Sequence, residues 1–272
     1  MLGAVVGDVI GSVYERRFAI PAEAPLLTEA SRFTDDTVFT LAVASSLLSG
    51  QKVAQALRVW GHKYPEVGAS RQFSAWLAQD AAPPYGGTTN GALMRVSPAV
   101  ALAGTEEIAL EQSRQMTVVS HDSAQALSAV ETYARTLFAA LNGANHADVL
   151  RALDAGSLPL RSVDDIRTAA KFRMGALETL ADVYACLAES SDFEGAMRNC
   201  LRCGGDVDTL CAITGPVAEA LWGISEQLAR AVVARLPQEM RAVLQQEYQA
   251  IPQPSNGPWI AAALNILTSP RP

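Results

Sequence analysis

Lysine is nearly absent from this sequence. Lys52, Lys63 and Lys171 are the three in 272 residues, and the other 18 of the 21 basic residues are arginine. Against 28 acids this leaves a net charge of -7 and a pI of about 5.0. A broad basic face of the kind that binds nucleic acid without regard to sequence is therefore excluded. Four cysteines are too few for a disulfide scaffold. No apolar run reaches the roughly 18–20 residues that a membrane span needs. The opening MLGAVVGDVIG is broken by Asp8 and lacks the charged start of a signal peptide. The expectation is a cytoplasmic monomer with reduced thiols and no membrane partner.

What is present is aliphatic and helix-forming. Hydrophobic residues make up 49% and charged residues 18%, which excludes intrinsic disorder and allows a sizeable core. Alanine and leucine dominate, and both favour helix. Apolar periodicity predicts helices over 37–49, 52–60, 70–79, 91–103, 105–118, 123–141, 146–153, 174–189, 193–202, 209–222, 226–235, 238–249 and 258–268. Thr105, Asn145, Asp192 and Ser225 read as N-caps, and Asn142-Gly143 as a C-cap. Alternating strands are missing, and the Pro/Gly-rich pieces at 20–33, 80–90, 154–162 and 250–257 are ordinary loops rather than linkers. The expectation is an all-α fold: one domain over 1–272, with a dozen or more helices.

Two segments carry more oxygen ligands than helix starts require. Thr34-Asp35-Asp36-Thr37 precedes one apolar helix, and Gly204-Gly205-Asp206-Val207-Asp208-Thr209 precedes another. Either alone reads as an N-cap. A cap needs one side-chain oxygen, however, and each segment offers three or four. Carboxylates buried beside apolar runs need compensation, and lysine is scarce. Four Asp brought together by the fold would take hard divalent cations, Mg²⁺, Mn²⁺ or Ca²⁺, with one Asp able to bridge two ions.

Three further segments are ambiguous on their own. Gly86-Gly87-Thr88-Thr89-Asn90-Gly91 opens into an apolar stretch and reads either as a helix start or as a phosphate-binding loop. Tyr85 beside it could stack on a base. His121, between two helices, reads either as a structural hydrogen-bonder or as a site residue. Cys200 and Cys203 fall on one helix face with Cys186 and Cys211 near in sequence; no histidine completes a zinc set, so they read as small buried residues. The four tryptophans read as core, and His62 and His146 as surface or cap positions.

Taken in order, these segments resemble the ADP-ribosylglycohydrolase family. The matching residues are Gly3-Ala-Val-Val-Gly-Asp-Val-Ile-Gly-Ser-Val-Tyr-Glu15, Phe33-Thr-Asp-Asp-Thr37, Asn90-Gly-Ala-Leu-Met-Arg95, Ser120-His121 and Gly204-Gly-Asp-Val-Asp-Thr209. The resemblance implies an all-α fold and two Mg²⁺ (or Mn²⁺) ions. It implies hydrolysis of the bond between C1″ of ADP-ribose and an acceptor on a modified protein, with ADP-ribose as product. Carried over by position, Thr34, Asp35, Asp36, Asp206, Asp208 and Thr209 would be metal ligands. Glu15, Asp35 and Asp36 would serve catalysis. Asn90, Gly91, His121, Gly204 and Gly205 would contact substrate. The chain departs from the family in carrying Thr89 where glycine is frequent and Ser123 where a second histidine is frequent. Arginine is the acceptor expected from bacterial relatives. Serine or nucleic-acid linkages, a small nucleotide glycoside, and a non-catalytic ADP-ribose-binding role stay open as alternatives.

Overall fold

A computed structural model describes residues 1–154, 158–252 and 257–268. Among these residues 15 α-helices account for a 65% helical fold without a sheet. In chain order they are α1 (Leu2–Gly11), α2 (Asp35–Ser49), α3 (Val53–Lys63), α4 (Arg71–Leu77), α5 (Ser97–Ala101), α6 (Glu106–Val118), α7 (Ala124–Leu141), α8 (His146–Asp154), α9 (Val163–Ala169), α10 (Ala176–Ala188), α11 (Phe193–Cys203), α12 (Val207–Trp222), α13 (Glu226–Val233), α14 (Gln238–Ala250) and α15 (Pro258–Thr268). No described helix is long and apolar enough to cross a membrane. The loops expected at 154–162 and 250–257 fall partly outside the described residues.

The centre of the fold is the pair α1 and α12. Every residue of α1 is buried, and so is nearly all of α12. Gly3, Gly7 and Gly11 recur every four residues and therefore share one face of α1. That face meets the α12 backbone directly. A methyl on Gly7 would lie 2.2 Å from the Cys211 carbonyl oxygen; on Gly3, 2.4 Å from that of Gly215; on Gly11, 2.3 Å from the Asp208 Cα. Helix separation is set by the side chains at the contact, and here one helix contributes none. Asp8, one residue from Gly7, is thereby carried close to Asp208.

Local chemistry explains most helix boundaries. Thr34, Thr105, Ser123 and Asp192 cap α2, α6, α7 and α11 with side-chain oxygens, and the Asn145 amide oxygen accepts from Asp148 N–H at the start of α8. α2 ends at Gly50 in the left-handed region, and Gly143, after α7, has φ +86°. Ser225 stands at the start of α13, but its hydroxyl donates to Glu194 instead of capping.

Three expectations fail for physical reasons. No helix is expected over 1–11; α1 forms because burial against α12 outweighs glycine's poor propensity. α9 is seven residues, too short for periodicity to register, and is held by a capping box between Ser162 and Asp165. The continuous helix expected over 91–103 is interrupted. A single 3₁₀ turn spans Asn90–Ala92, and α5 covers Ser97–Ala101 with Pro98 in its first turn. Proline lacks an N–H and clashes with the preceding turn, so it begins a helix rather than continuing one.

The glycine contact makes a direct prediction. Gly7→Ala is expected to destabilise the chain by about 3 kcal/mol or more, since neither backbone can yield. Gly104→Ala, whose methyl would meet nothing within 4 Å, stays within about 1 kcal/mol of the parent. Urea denaturation of both variants checks this; equal midpoints would contradict the packing argument.

Candidate metal centre and active site

The site begins with Asp8. In an eleven-residue stretch of otherwise uncharged residues it is the one acid, and it is fully buried. Its carboxylate accepts four hydrogen bonds from the start of α2. Thr34 N–H donates at 2.8 Å and Thr34 hydroxyl at 2.6 Å; Thr37 N–H donates at 3.1 Å and Thr37 hydroxyl also donates. Three of these bonds reach Oδ2 and one reaches Oδ1, so Oδ1 keeps an acceptor site open. Burial pushes the Asp8 carboxyl up, and the bonds from Thr34 and Thr37 oppose that shift. Asp8 thus acts as a second cap for α2, supplied by α1, and fixes the direction in which Asp35 and Asp36 leave the helix. Sequence reasoning did not select Asp8 as a site residue. The signal available was a charge in the middle of a buried helix.

Two carboxylate groupings overlap at Asp208. Oxygens of Asp8, Asp36 and Asp208 lie within 4.8 Å of one another, as do those of Glu15, Asp206 and Asp208. Asp36 Oδ2 is 3.3 Å from the Thr34 hydroxyl and accepts from the Thr209 hydroxyl at 3.2 Å. Asp36 Oδ1 is buried without any donor. Asp206 accepts from the Asn90 amide at 2.7 Å, and Asp208 from Thr209 N–H at 3.0 Å. No Lys or Arg among the described residues forms an ion pair with these five Asp.

Their protonation reflects this lack of compensation. Asp35 is pushed up to about 7, chiefly by burial and then by Asp8 and Asp206. Asp36 is raised well above the carboxylate range by burial and then by Asp35; Asp208 by burial and then by Asp206. Asp206 is raised by burial, against the bond from Asn90. A hard, oxygen-only donor set with an orphaned buried oxygen, in which only the half-buried Glu15 has a cationic partner, Arg16, fits divalent metal ions.

The groupings form one end of a cavity of about 590 Å³. Asp35, Asp206, Asp208 and Thr209 line it, with Glu15 and Arg16 from the turn after α1. Arg16 has φ +64° and lies over the Phe172 ring at 5.2 Å. Gly204 and Gly205, expected to contact substrate, are not among the residues that line the cavity. They pair with the Glu15 turn instead: Arg16 N–H donates to Gly205 O at 2.7 Å, and Gly205 N–H to Arg17 O at 2.8 Å. A methyl on Gly204 would fall 2.8 Å from Arg17 O, and both glycines have positive φ. Their role is to stitch Glu15 to the start of α12.

Thr89, Asn90, Gly91 and His121 form another part of the wall. This loop is pinned by Asn90 N–H to Met174 O at 2.7 Å and Ala176 N–H to Thr88 O at 3.0 Å. Ser123, at the position where the family frequently has histidine, donates to Gly87 O at 2.8 Å and caps α7. His121 is driven down to about 3 by burial and then by Arg95, so its ring is neutral. Tyr85 packs edge-on against His121 at 5.3 Å and does not line the cavity, so it is not placed to stack on a base there. His62 is exposed, and His146 bonds Leu187 O at 3.0 Å. The four cysteines are free and buried; Cys186 and Cys203 sulfurs are 3.6 Å apart. Arg95, which sequence reasoning did not select as a site residue, also lines the cavity.

Comparison with known proteins agrees in one direction. Residues 1–268 match the family profile described as ADP-ribosylglycohydrolase. The ADP-ribosylarginine hydrolase Tri1 of Pseudomonas putida (strain GB-1) is 24% identical over 268 residues, covering 83% of this chain and 70% of its own length. A solved structure described as an ADP-ribosylglycohydrolase-related protein complex superimposes with a TM-score of 0.64 at 24% identity, covering 98% of this chain and 96% of that one. That likeness speaks to the fold.

Two outcomes follow from the geometry. A carboxyl with a raised folded-state pKa keeps its proton where the unfolded chain has lost it, so the Asp35 contribution to metal-free stability declines as pH rises from about 4 to about 7. Metal must displace those protons, so the gain in Tm from Mg²⁺ is larger at pH 8 than at pH 5.5. A hundredfold excess over Kd gives about 2.7 kcal/mol, on the order of 5–10 °C. Calorimetric scans with and without Mg²⁺ test this, and a gain that falls with pH contradicts it. Asp8→Asn, which places an amide donor among four donors, weakens Mg²⁺ binding about 10–100-fold by titration calorimetry; unchanged affinity removes the orienting role.

Proposed function

The chain belongs to the ADP-ribosylglycohydrolase family, and from that premise we propose that it hydrolyses the C1″ glycosidic bond of ADP-ribose attached to protein arginine. In this reading it acts as one domain over 1–272, with a binuclear Mg²⁺ or Mn²⁺ centre. The observation that carries the proposal is the sharing of Asp208 between two carboxylate groupings, with Asp36 Oδ1 left orphaned. The arginine acceptor rests on the Tri1 relative.

Thr34, Asp35, Asp36, Asp206, Asp208 and Thr209 would hold the ions in this reading. Asp8 orients Thr34 and Thr37. Bound there, the ions supply positive charge that offsets the carboxylates, attracts a dianionic nucleotide to a chain of charge -7 and acidifies water. The protein's own groups do the rest. Glu15 and Asp35 are carboxylates that face the cavity, whereas Asp36 is buried behind them. A water oxygen bonds C1″ as the bond from C1″ to the guanidino nitrogen breaks through an oxocarbenium-like state. The water's proton passes to Glu15 or Asp35, and that carboxyl returns it to the departing guanidino nitrogen. Asn90 holds Asp206 in place from the opposite wall.

Release of free ADP-ribose, measured side by side on arginine-, serine- and nucleic-acid-linked substrates, tests the proposal. Turnover is expected on the arginine linkage, to be abolished by chelator and to fall at least about 100-fold in Asp208→Asn. Full activity in chelator overturns the metal centre, and turnover confined to another linkage overturns the acceptor. Binding of ADP-ribose without turnover of any linkage overturns the enzyme reading in favour of a binding role.

A further inference from the structure

Arg95 is the largest fully buried side chain, and among the described residues no carboxylate pairs with it. Burial lowers its guanidinium to about 10, which still leaves it charged at neutral pH. Its Nε has no hydrogen-bond partner, and its guanidinium sits over the Phe73 ring at 5.2 Å. An unpaired buried cation is costly, and this one reaches the same cavity as the carboxylates.

Its one short bond starts a chain with a fixed direction. Guanidinium groups only donate. Arg95 Nη2 therefore donates to Ser120 Oγ at 2.6 Å, which frees the Ser120 hydrogen for His121 Nδ1 at 2.9 Å. Arg95 Nη2 also faces that nitrogen from 3.5 Å. With two donors turned towards it, Nδ1 is the acceptor of the neutral ring, and the ring proton resides on Nε2. Nε2 lies 3.0 Å from Thr89 Oγ1 and 3.4 Å from the Tyr85 hydroxyl. Its edge also faces the loop at Gly91, where an added methyl would come within 3.4 Å of Nε2. His121 is the one hydrogen-bond partner of Thr89 Oγ1 among the described residues. Having accepted from the imidazole, the threonine hydroxyl has its own hydrogen left, and Thr89 lines the cavity.

We infer that Arg95, Ser120 and His121 form a one-way hydrogen-bond relay that makes Thr89 Oγ1 a donor to an anionic oxygen of the bound nucleotide. Thr89 is then a binding residue, at the position where the family frequently has glycine, and Arg95 is a positioning residue. Chains of aligned hydrogen bonds polarise one another in a low dielectric. The relay therefore delivers part of the arginine charge to the cavity wall without exposing the guanidinium. The inference rests on the nucleotide substrate proposed above.

The test separates the two. Thr89→Val keeps the shape and removes the hydroxyl; Thr89→Ser restores it. With Mg²⁺ saturating, titration calorimetry should show ADP-ribose bound about tenfold more weakly by Thr89→Val, with near-parent affinity in Thr89→Ser. On the substrate that the parent hydrolyses, Thr89→Val should raise KM more than it lowers kcat, because the contact is present before reaction begins. Independently of any substrate, nitrogen-15 NMR of the full chain at pH 7 should show the His121 proton on Nε2, and Ser120→Ala should mix the two tautomers. A proton on Nδ1, or Thr89→Val within twofold of the parent for ADP-ribose, overturns the relay while leaving the hydrolase reading intact. A parent chain that shows the expected tautomer but does not bind ADP-ribose overturns the nucleotide reading and the role of Thr89 with it.

Discussion

The approach of α1 to α12 on bare glycine is the constraint on which the site depends. Because Gly7 and Gly11 bring nothing between the two backbones, Asp8 and Asp208 can present oxygens within 4.8 Å of each other, although they are two hundred positions apart. Asp8 then grips Thr34 and Thr37 and sets where α2 begins, which aims Asp35 and Asp36 at the same point. Gly204 and Gly205 add the third link by pairing with the Glu15 turn. A thicker contact between α1 and α12 would leave each carboxylate attached to a sound helix but separate the groupings that meet at Asp208.

The cavity is electrically divided. Its acidic end carries buried carboxylates without cationic partners, and each raises the others. The region around His121 carries a buried arginine without an anionic partner. Neither is stable as an isolated arrangement, since uncompensated charge in a low dielectric is expensive. The two regions are thus opposite in charge within one cavity. Asn90 spans the two regions, its backbone in the pinned loop and its side-chain amide on Asp206.

The parts of this site that could be read from sequence are those whose chemistry is local. Thr34-Asp-Asp-Thr37 and Gly204-Gly-Asp-Val-Asp-Thr209 are conspicuous because each exceeds what a helix start requires, and the all-α character follows from composition and periodicity. Asp8 escaped because its partners are Thr34 and Thr37, twenty-six and twenty-nine residues on, and nothing nearby in sequence marks it. Gly204 and Gly205 are readable as glycines needed for a close approach, but the sequence does not show that the approaching backbone is Arg17 and Phe18 at Gly204 and Lys171 and Phe172 at Gly205. Arg95 ends the Asn90–Arg95 segment that carries the resemblance, but its burial without a counter-charge is visible only in the fold. The interrupted stretch at 91–103 carried its explanation in Pro98, which apolar content had outweighed.

The α1–α12 contact also has a temporal side. Gly7 and Cys211 are 211 − 7 = 204 residues apart, so at synthesis rates of about 5–20 residues per second the two strips of backbone become available roughly 10–40 s apart. During that interval α1 has an apolar, glycine-faced surface and no helix to bury it against. Contacts of such sequence separation also slow folding, because loop-closure entropy is lost before any packing is gained. The acidic centre therefore assembles only after α12 has followed α1 off the ribosome, and the period before that encounter is when an exposed α1 would be most open to a chaperone.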